Sequence, residues 1–93
     1  MEDEESIDFS AQKNISVYPS SLYSGETLYL ETNFDGSSLT ADIYNLNGVK
    51  VYSTNLASSV TSFGVTMPKG IYIVIVTDNI TGDRISTEKI IIK

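Results

Sequence analysis

The feature that most limits the fold of this chain is the spacing of its apolar residues. They come in short runs, rich in isoleucine, valine, tyrosine and threonine, which turn-forming residues separate at intervals of about ten residues. No window shows the i, i+3, i+4, i+7 recurrence of an amphipathic helix. The runs predict seven strands, at residues 15–18, 26–32, 39–45, 49–54, 61–66, 71–77 and 84–92. Seven short strands in 93 residues predict an all-β, antiparallel β-sandwich.

The longest apolar run is IYIVIV, at residues 71–76. Because successive side chains of a strand point to opposite faces, this run is apolar on both faces. It predicts an interior strand that is covered on both sides, or one whose second side is covered by another protein. The segment TDNITGDR then predicts a hairpin turn, and RISTEKIIIK predicts the last strand.

The segment ADIYNLNGVKVYS predicts a hairpin that can close in two ways. A two-residue turn would be centred on Asn47 and Gly48. A three-residue loop would begin at Asn45 and place Gly48 in the left-handed position. We favour the second, because the Asn45 side chain can accept from the turn backbone and glycine tolerates positive φ.

The choice of turn fixes the register of the hairpin. The two-residue turn would place Ile43 opposite Tyr52, whereas the favoured loop places Ile43 opposite Val51 and Ala41 opposite Ser53. The favoured register is therefore expected to collect apolar side chains on one face: Ala41, Ile43, Val49 and Val51.

Composition argues against catalysis. The chain has no cysteine and no histidine, so disulfides, thiolate and imidazole metal ligands and the usual nucleophile pairs are excluded. The carboxylates after residue 8 are scattered, and no phosphate-binding glycine-rich loop is present. Asp78 and Asp83 do not have the spacing of a calcium loop, so a plain turn is predicted there. We predict no enzyme, no catalytic residue, no metal and no cofactor.

The acidic residues are concentrated at the N-terminus. Five of the twelve carboxylates lie in the first eight residues, and the remainder of the chain carries seven against six basic residues. We predict a flexible acidic linker at residues 1–14 and one folded domain at residues 15–93. Without a basic stripe, nucleic-acid binding is not expected.

No run reaches the ~18 to 20 apolar residues of a membrane-spanning helix. The acidic N-terminus does not have the pattern of a secretory signal peptide.

Three segments together resemble one protein family. ISVYPSS is similar to the family's v-YPNP opening, ADIYNLNGVKVYS to its v-IYDLNGrlV hairpin, and MPKGIYIVIVTD…EKIIIK to its l-GvYivkv…KiiK ending. The family is the type A C-terminal sorting domain of cargo proteins of the type IX, or Por, secretion system of Bacteroidota. The resemblance covers residues 15–93. Ser20 and Ser21 replace the family's Asn-Pro, and Ile75 stands where the family often has lysine or arginine.

The resemblance implies an immunoglobulin-like sandwich that labels a larger cargo and is not a catalyst. It implies an N-terminal passenger, transit through the periplasm, and recognition by the outer-membrane translocon and a shuttle protein. It also implies that a sortase cleaves the label, which leaves the cargo anchored at the cell surface or released.

By position, the resemblance assigns the family's Gly-x-Tyr, Asn-Gly and terminal lysine motifs to Gly70 and Tyr72, Asn47 and Gly48, and Lys89 and Lys93. We predict that the translocon recognises the last two strands, 70–77 and 84–93. The predicted recognition residues are Gly70, Tyr72, Lys89, Ile90, Ile91, Ile92 and Lys93.

A second interpretation stays open at the level of sequence. The chain has six tyrosines, and an exposed aromatic face can bind sugars or proteins, although tyrosine is also a good strand former that covers half-buried surface. The alternative is an immunoglobulin-like binding or spacer module of a surface adhesin or polysaccharide-degrading enzyme.

Overall fold

The computed structural model describes residues 14–36, 38–57 and 59–93. The predicted linker at residues 1–14 therefore lies outside the described residues except for Asn14. The strands are β1 (Ile15–Tyr18), β2 (Ser21–Leu22), β3 (Thr27–Thr32), β4 (Leu39–Asn45), β5 (Lys50–Asn55), β6 (Val60–Gly64), β7 (Gly70–Asp78) and β8 (Arg84–Ile92).

The described strands form two sheets. One has three strands in the order β1-β3-β6, and the other has five in the order β2-β8-β7-β4-β5. Neighbouring strands are antiparallel, except that β2 runs parallel to β8. The prediction of an all-β, immunoglobulin-like sandwich is confirmed.

Alternation along the strands builds the core. In β3, Leu28 and Leu30 are fully buried while Tyr29 faces outward. Burying a side chain of this size stabilises the fold by about 1.5–3 kcal/mol. The other buried apolar side chains come from both sheets and from the connections: Leu22, Leu39, Ala41, Ile43, Leu56, Val65, Met67, Tyr72, Val74, Val76, Ile90 and Ile92.

Strand β2 is absent from the sequence prediction. Its two residues pair with the end of β8, with Ser21 beside Ile91 and Leu22 beside Ile92. The backbone N–H of Lys93 also donates to the carbonyl of Leu22 at 2.9 Å. A two-residue strand has no periodicity to detect, and its partner lies some seventy residues away along the chain.

The turn between β4 and β5 is built around one asparagine. The N–H of Gly48 donates to the carbonyl of Asn45 at 3.0 Å, and φ of Gly48 is +82°. The Asn45 Oδ1 accepts from the backbone N–H groups of Asn47 at 2.9 Å and Val49 at 3.0 Å. This one side chain satisfies two turn donors that would otherwise lack a protein partner.

The predicted register beyond this turn is wrong. Tyr44 pairs with Lys50, but Ile43 pairs with Tyr52 and Ala41 with Thr54, because a bulge makes Val51 an extra residue. The bulge rotates Tyr52 toward the core, where its ring stacks on Phe63 of the other sheet with centroids 4.5 Å apart. Val49 and Val51 consequently stay exposed.

Candidate functional site

Strands β7 and β8 carry the densest family signal and lie inside the five-stranded sheet. β7 is hydrogen-bonded to β4 on one edge and to β8 on the other. It is therefore an interior strand of the sheet by its hydrogen bonding. Of the two expectations for its apolar run, cover of the second side by another protein stays a prediction. Its inward side chains, Tyr72, Val74 and Val76, are buried in the sandwich. Its outward side chains, Ile71, Ile73 and Ile75, lie on the outer surface of the sheet.

Several predicted recognition residues turn out to support the fold. Tyr72, Ile90 and Ile92 are buried. The Tyr72 hydroxyl donates to the carbonyl of Pro68 at 2.6 Å, and its ring lies beside Gly70. These residues position the terminal strands, but their side chains are not accessible to a partner in the folded domain.

The other predicted recognition residues are exposed. Lys89 and Lys93 reach solvent, and Ile91 is 37% exposed. The Lys93 ammonium lies 5.0 Å from the ring centroid of Tyr23, which is the distance of a cation–π contact. At the end of β8, exposed side chains therefore alternate with side chains that are buried in the core.

The outer surface of the five-stranded sheet is apolar at its centre. Register places Ile73 between Tyr44 of β4 and Lys89 of β8, and it places Ile71 beside Ile91. Ile71 is 40% exposed, and Ile73 and Ile75 are half-buried. We call Tyr44, Ile71, Ile73, Ile75 and Ile91 the outer isoleucine face. The three-stranded sheet packs against the opposite side, so no described strand covers this face.

A depression in this face is lined by apolar residues and by one cation. Tyr44, Leu46, Ile73 and Ile75 form its apolar walls, and Arg84 closes the side nearest β8. Sequence reasoning identified the isoleucines by the six-residue run but missed Tyr44 and Arg84. Their placement depends on how β4 and β8 pair with β7, which the sequence pattern does not specify.

Charges on the two sides of this face differ. On the β4 side, Asp42 accepts from the Ser53 hydroxyl at 2.6 Å and forms an ion pair with Lys50 at 3.7 Å. On the β8 side, Arg84 and Lys89 are exposed, and neither forms an ion pair within the described part of the chain. Within the described part of the chain, the face is therefore apolar with two unpaired cations on its β8 side.

The edge of β8 is only partly covered. β2 pairs with Ile91 and Ile92 alone, which leaves the stretch from Arg84 to Ile90 without a neighbouring strand on that side among the described residues. Glu88 stands opposite the buried Val74 but remains exposed. A charge at this position disfavours the pairing of another chain along the edge.

The tyrosines of the three-stranded sheet bond to their own surroundings. The rings of Tyr18 and Tyr29 stack with centroids 5.4 Å apart, and the Tyr18 hydroxyl donates to Glu31 at 3.0 Å. That hydrogen bond, together with slight desolvation and the negative charge of Glu31, raises the pKa of Tyr18 above its ordinary value. The two tyrosines and Glu31 therefore make their contacts with one another at the surface of this sheet.

The described residues contain no group of three metal-ligating side chains. Asp78 is buried and accepts from the backbone N–H groups of Ile80 at 2.8 Å and Thr81 at 3.4 Å, so it caps the turn after β7. Within the same residues there is no helix with the length and apolar character needed to cross a bilayer.

Comparison with known proteins returns one family. Residues 16–93 match the model of a family described as the secretion system C-terminal sorting domain. The match extends from β1 to the last residue and includes both sheets. No curated protein matches the chain.

Proposed function

Since the chain belongs to the family of secretion system C-terminal sorting domains, we propose that it is the cleavable address label of a larger cargo protein. Such a domain is a sorting signal for type IX secretion, and its family is in general non-catalytic. Its role implies contact with the type IX machinery and export through the outer membrane to the cell surface or beyond.

In the proposed route, the passenger enters the periplasm ahead of this domain. The outer-membrane translocon and a shuttle protein bind the sorting domain, residues 15–93. A sortase then cuts within the linker, residues 1–14, and a surface anchor replaces the domain or the cargo is released. The observation that carries the proposal is the family match over residues 16–93.

The proposed recognition surface is carried by β7 and β8. Lys89, Ile91 and Lys93 supply exposed side chains at its end. The remaining predicted recognition residues support the two strands from the core side of the sheet: Gly70, Tyr72, Ile90 and Ile92. Because strands of a packed sheet are rigid, such a surface needs little ordering when a partner binds.

An export assay tests the label. A secretory signal peptide and a fluorescent passenger are fused in front of residues 1–93 and expressed in a type IX-competent Bacteroidota host. We expect the passenger to reach the surface or medium, and to be retained in an isogenic host that lacks the translocon. Equal export from both hosts would contradict the proposal.

A test of recognition by the terminal residues requires substitutions, because a deletion would also affect folding. Removing residues 90–93 would take two side chains from the core, since Ile90 is 0% and Ile92 1% exposed. Loss of export would then also report unfolding. Ile91→Ser with Lys93→Ser leaves the core intact, so undiminished export of this double variant would rule out a contact at the end of β8.

Cleavage is measured on the exported passenger. Mass spectrometry of its C-terminus is expected to find a new end before residue 15. An intact junction with residues 15–93 in all exported molecules would overturn the sortase step while leaving the sorting function in place.

A further inference from the structure

We propose that the outer isoleucine face is the surface through which the export machinery holds this domain, and that the partner surface is apolar and flanked by carboxylates. This inference rests on the proposed function and specifies its partner chemistry. It names the outer face of the five-stranded sheet and the chemistry of its partner, which the proposed recognition by β7 and β8 leaves open.

The first argument is the unused apolar area. Strand β7 needs apolar residues only on its inward side to join the core, yet its outward positions hold Ile71, Ile73 and Ile75. An antiparallel sheet with one face in water normally places polar side chains at such positions. Tyr44, Leu46 and Ile91 extend the apolar strip to the neighbouring strands and the adjoining turn. A contiguous patch of this kind marks an interaction site.

The second argument is charge, and it selects the partner. Arg84 and Lys89 lie along the β8 side and have no ion-pair partner among the described residues. Asp42 is the one carboxylate that the described strands place on this face, and it is already engaged by Lys50 and Ser53. A second copy of the face would therefore bring no free carboxylate to the two cations. A partner with its own carboxylates beside an apolar patch would complement both features.

The third argument concerns the edge of β8. Glu88 occupies a position opposite Val74 where an added strand would have to pack. Docking of a partner onto the face avoids this charge, whereas strand addition along the edge does not. The observations therefore favour face docking.

The export assay described above provides the first test. Ile73→Thr and Ile71→Thr keep β-branched side chains, which suit a strand, while removing apolar contact. The matched control is Val60→Thr, an exposed β-branched residue on the outside of the other sheet. We expect export to fall at least tenfold for the first two variants together and to stay within twofold for the control, with circular dichroism confirming that all fold.

Charge is tested by Arg84→Glu with Lys89→Glu, with Lys69→Glu as control because Lys69 is exposed in the connection before β7. The double variant is expected to lower export at least tenfold and the control to change it less than twofold. Binding of the isolated domain to detergent-solubilised translocon from the same host should weaken between about 0.05 and 0.5 M salt. Arg84→Gln with Lys89→Gln should abolish that salt dependence.

Each outcome decides a different point. Full export of the folded face variants beside an exported wild type would overturn this inference alone. A wild-type fusion that is not exported would overturn the proposed function and the inference with it. If sedimentation shows a wild-type dimer that Ile73→Thr converts to monomer, the face belongs to a second copy and the inference is wrong.

Discussion

The two outer faces of the sandwich follow the same strand geometry but differ in chemistry. On the three-stranded sheet, Tyr18 and Tyr29 stack on each other and Tyr18 donates to Glu31. On the five-stranded sheet, Ile71 is exposed, Ile73 and Ile75 are half-buried, and no described strand packs against this side. The first face completes its own contacts in water, whereas the second exposes apolar surface and two cations that form no ion pair with the described residues.

This difference separates strand positions whose side chains the fold requires to be apolar from positions where the fold does not require it. Inward positions of both sheets must be apolar, so the apolar character of Leu28 and Val74 is explained by their burial in the core. Outward positions are free to be polar, and those of β3 largely are. The apolar outward positions of β7 therefore indicate a requirement outside the folded domain, which each of the following measurements can weaken or sharpen.

The largest effect is expected from comparing neighbours on β8. Ile90 is fully buried and Ile91 is 37% exposed on the outer face. Ile90→Ala should lower the free energy of unfolding by about 2–5 kcal/mol because it opens a cavity. Ile91→Ala should cost less than about 1 kcal/mol. Urea denaturation measures both, and equal losses would show that the outer face also supports the fold.

Much of this architecture was predictable from alternation alone. The bounds predicted for β1, β4 and β8 agree with the structure because their apolar periodicity and turn residues coincide. β2 was not predicted, since its two residues are defined by a parallel partner at the far end of the chain. A local sequence pattern cannot predict a pairing between residues so far apart in the chain.

The candidate site was predictable only in part. The run at residues 71–76 predicts an apolar second face, but the register of β4 is needed to place Tyr44 beside Ile73. The bulge at Val51 depends on the contact of Tyr52 with Phe63 across the sheets, which is a tertiary preference. Local turn chemistry at Asn45 could not reveal it.

A smaller effect on stability is expected from removing a tyrosine hydroxyl. Tyr72 is buried in the core, and Tyr18 is exposed on the outside of the three-stranded sheet. Tyr72→Phe removes the hydroxyl that donates to the carbonyl of Pro68 and should lower the free energy of unfolding by about 1–2 kcal/mol. Tyr18→Phe removes an exposed hydrogen bond to Glu31 and should leave stability unchanged within error. Thermal unfolding of the two variants provides the measurement, and a reversed order would contradict this assignment.

Two aromatic pairs allow a finer test by double-mutant cycles. Tyr52 and Phe63 join the two sheets and are half-buried. Their coupling free energy is expected to be about 0.5–1.5 kcal/mol. The exposed pair of Tyr18 and Tyr29 should show coupling near the limit of detection. Strong coupling of the exposed pair would mean that the first outer face contributes to stability, and the contrast between the faces would weaken.

The smallest effect concerns the titration of Tyr18. Its hydrogen bond to Glu31 and the nearby negative charge raise its pKa, so the folded state favours the neutral phenol. The resulting stabilisation is present below the ordinary tyrosine pKa, near 10, and is lost as pH rises through the higher folded pKa. Glu31→Gln removes the charge and should lower the pKa of Tyr18 toward its ordinary value, as followed by the NMR shift of the phenolic carbon. Glu88→Gln, on the other sheet, is the control. An unchanged Tyr18 titration in Glu31→Gln would show that the first face is not bonded to itself, which removes half of the contrast with the outer isoleucine face.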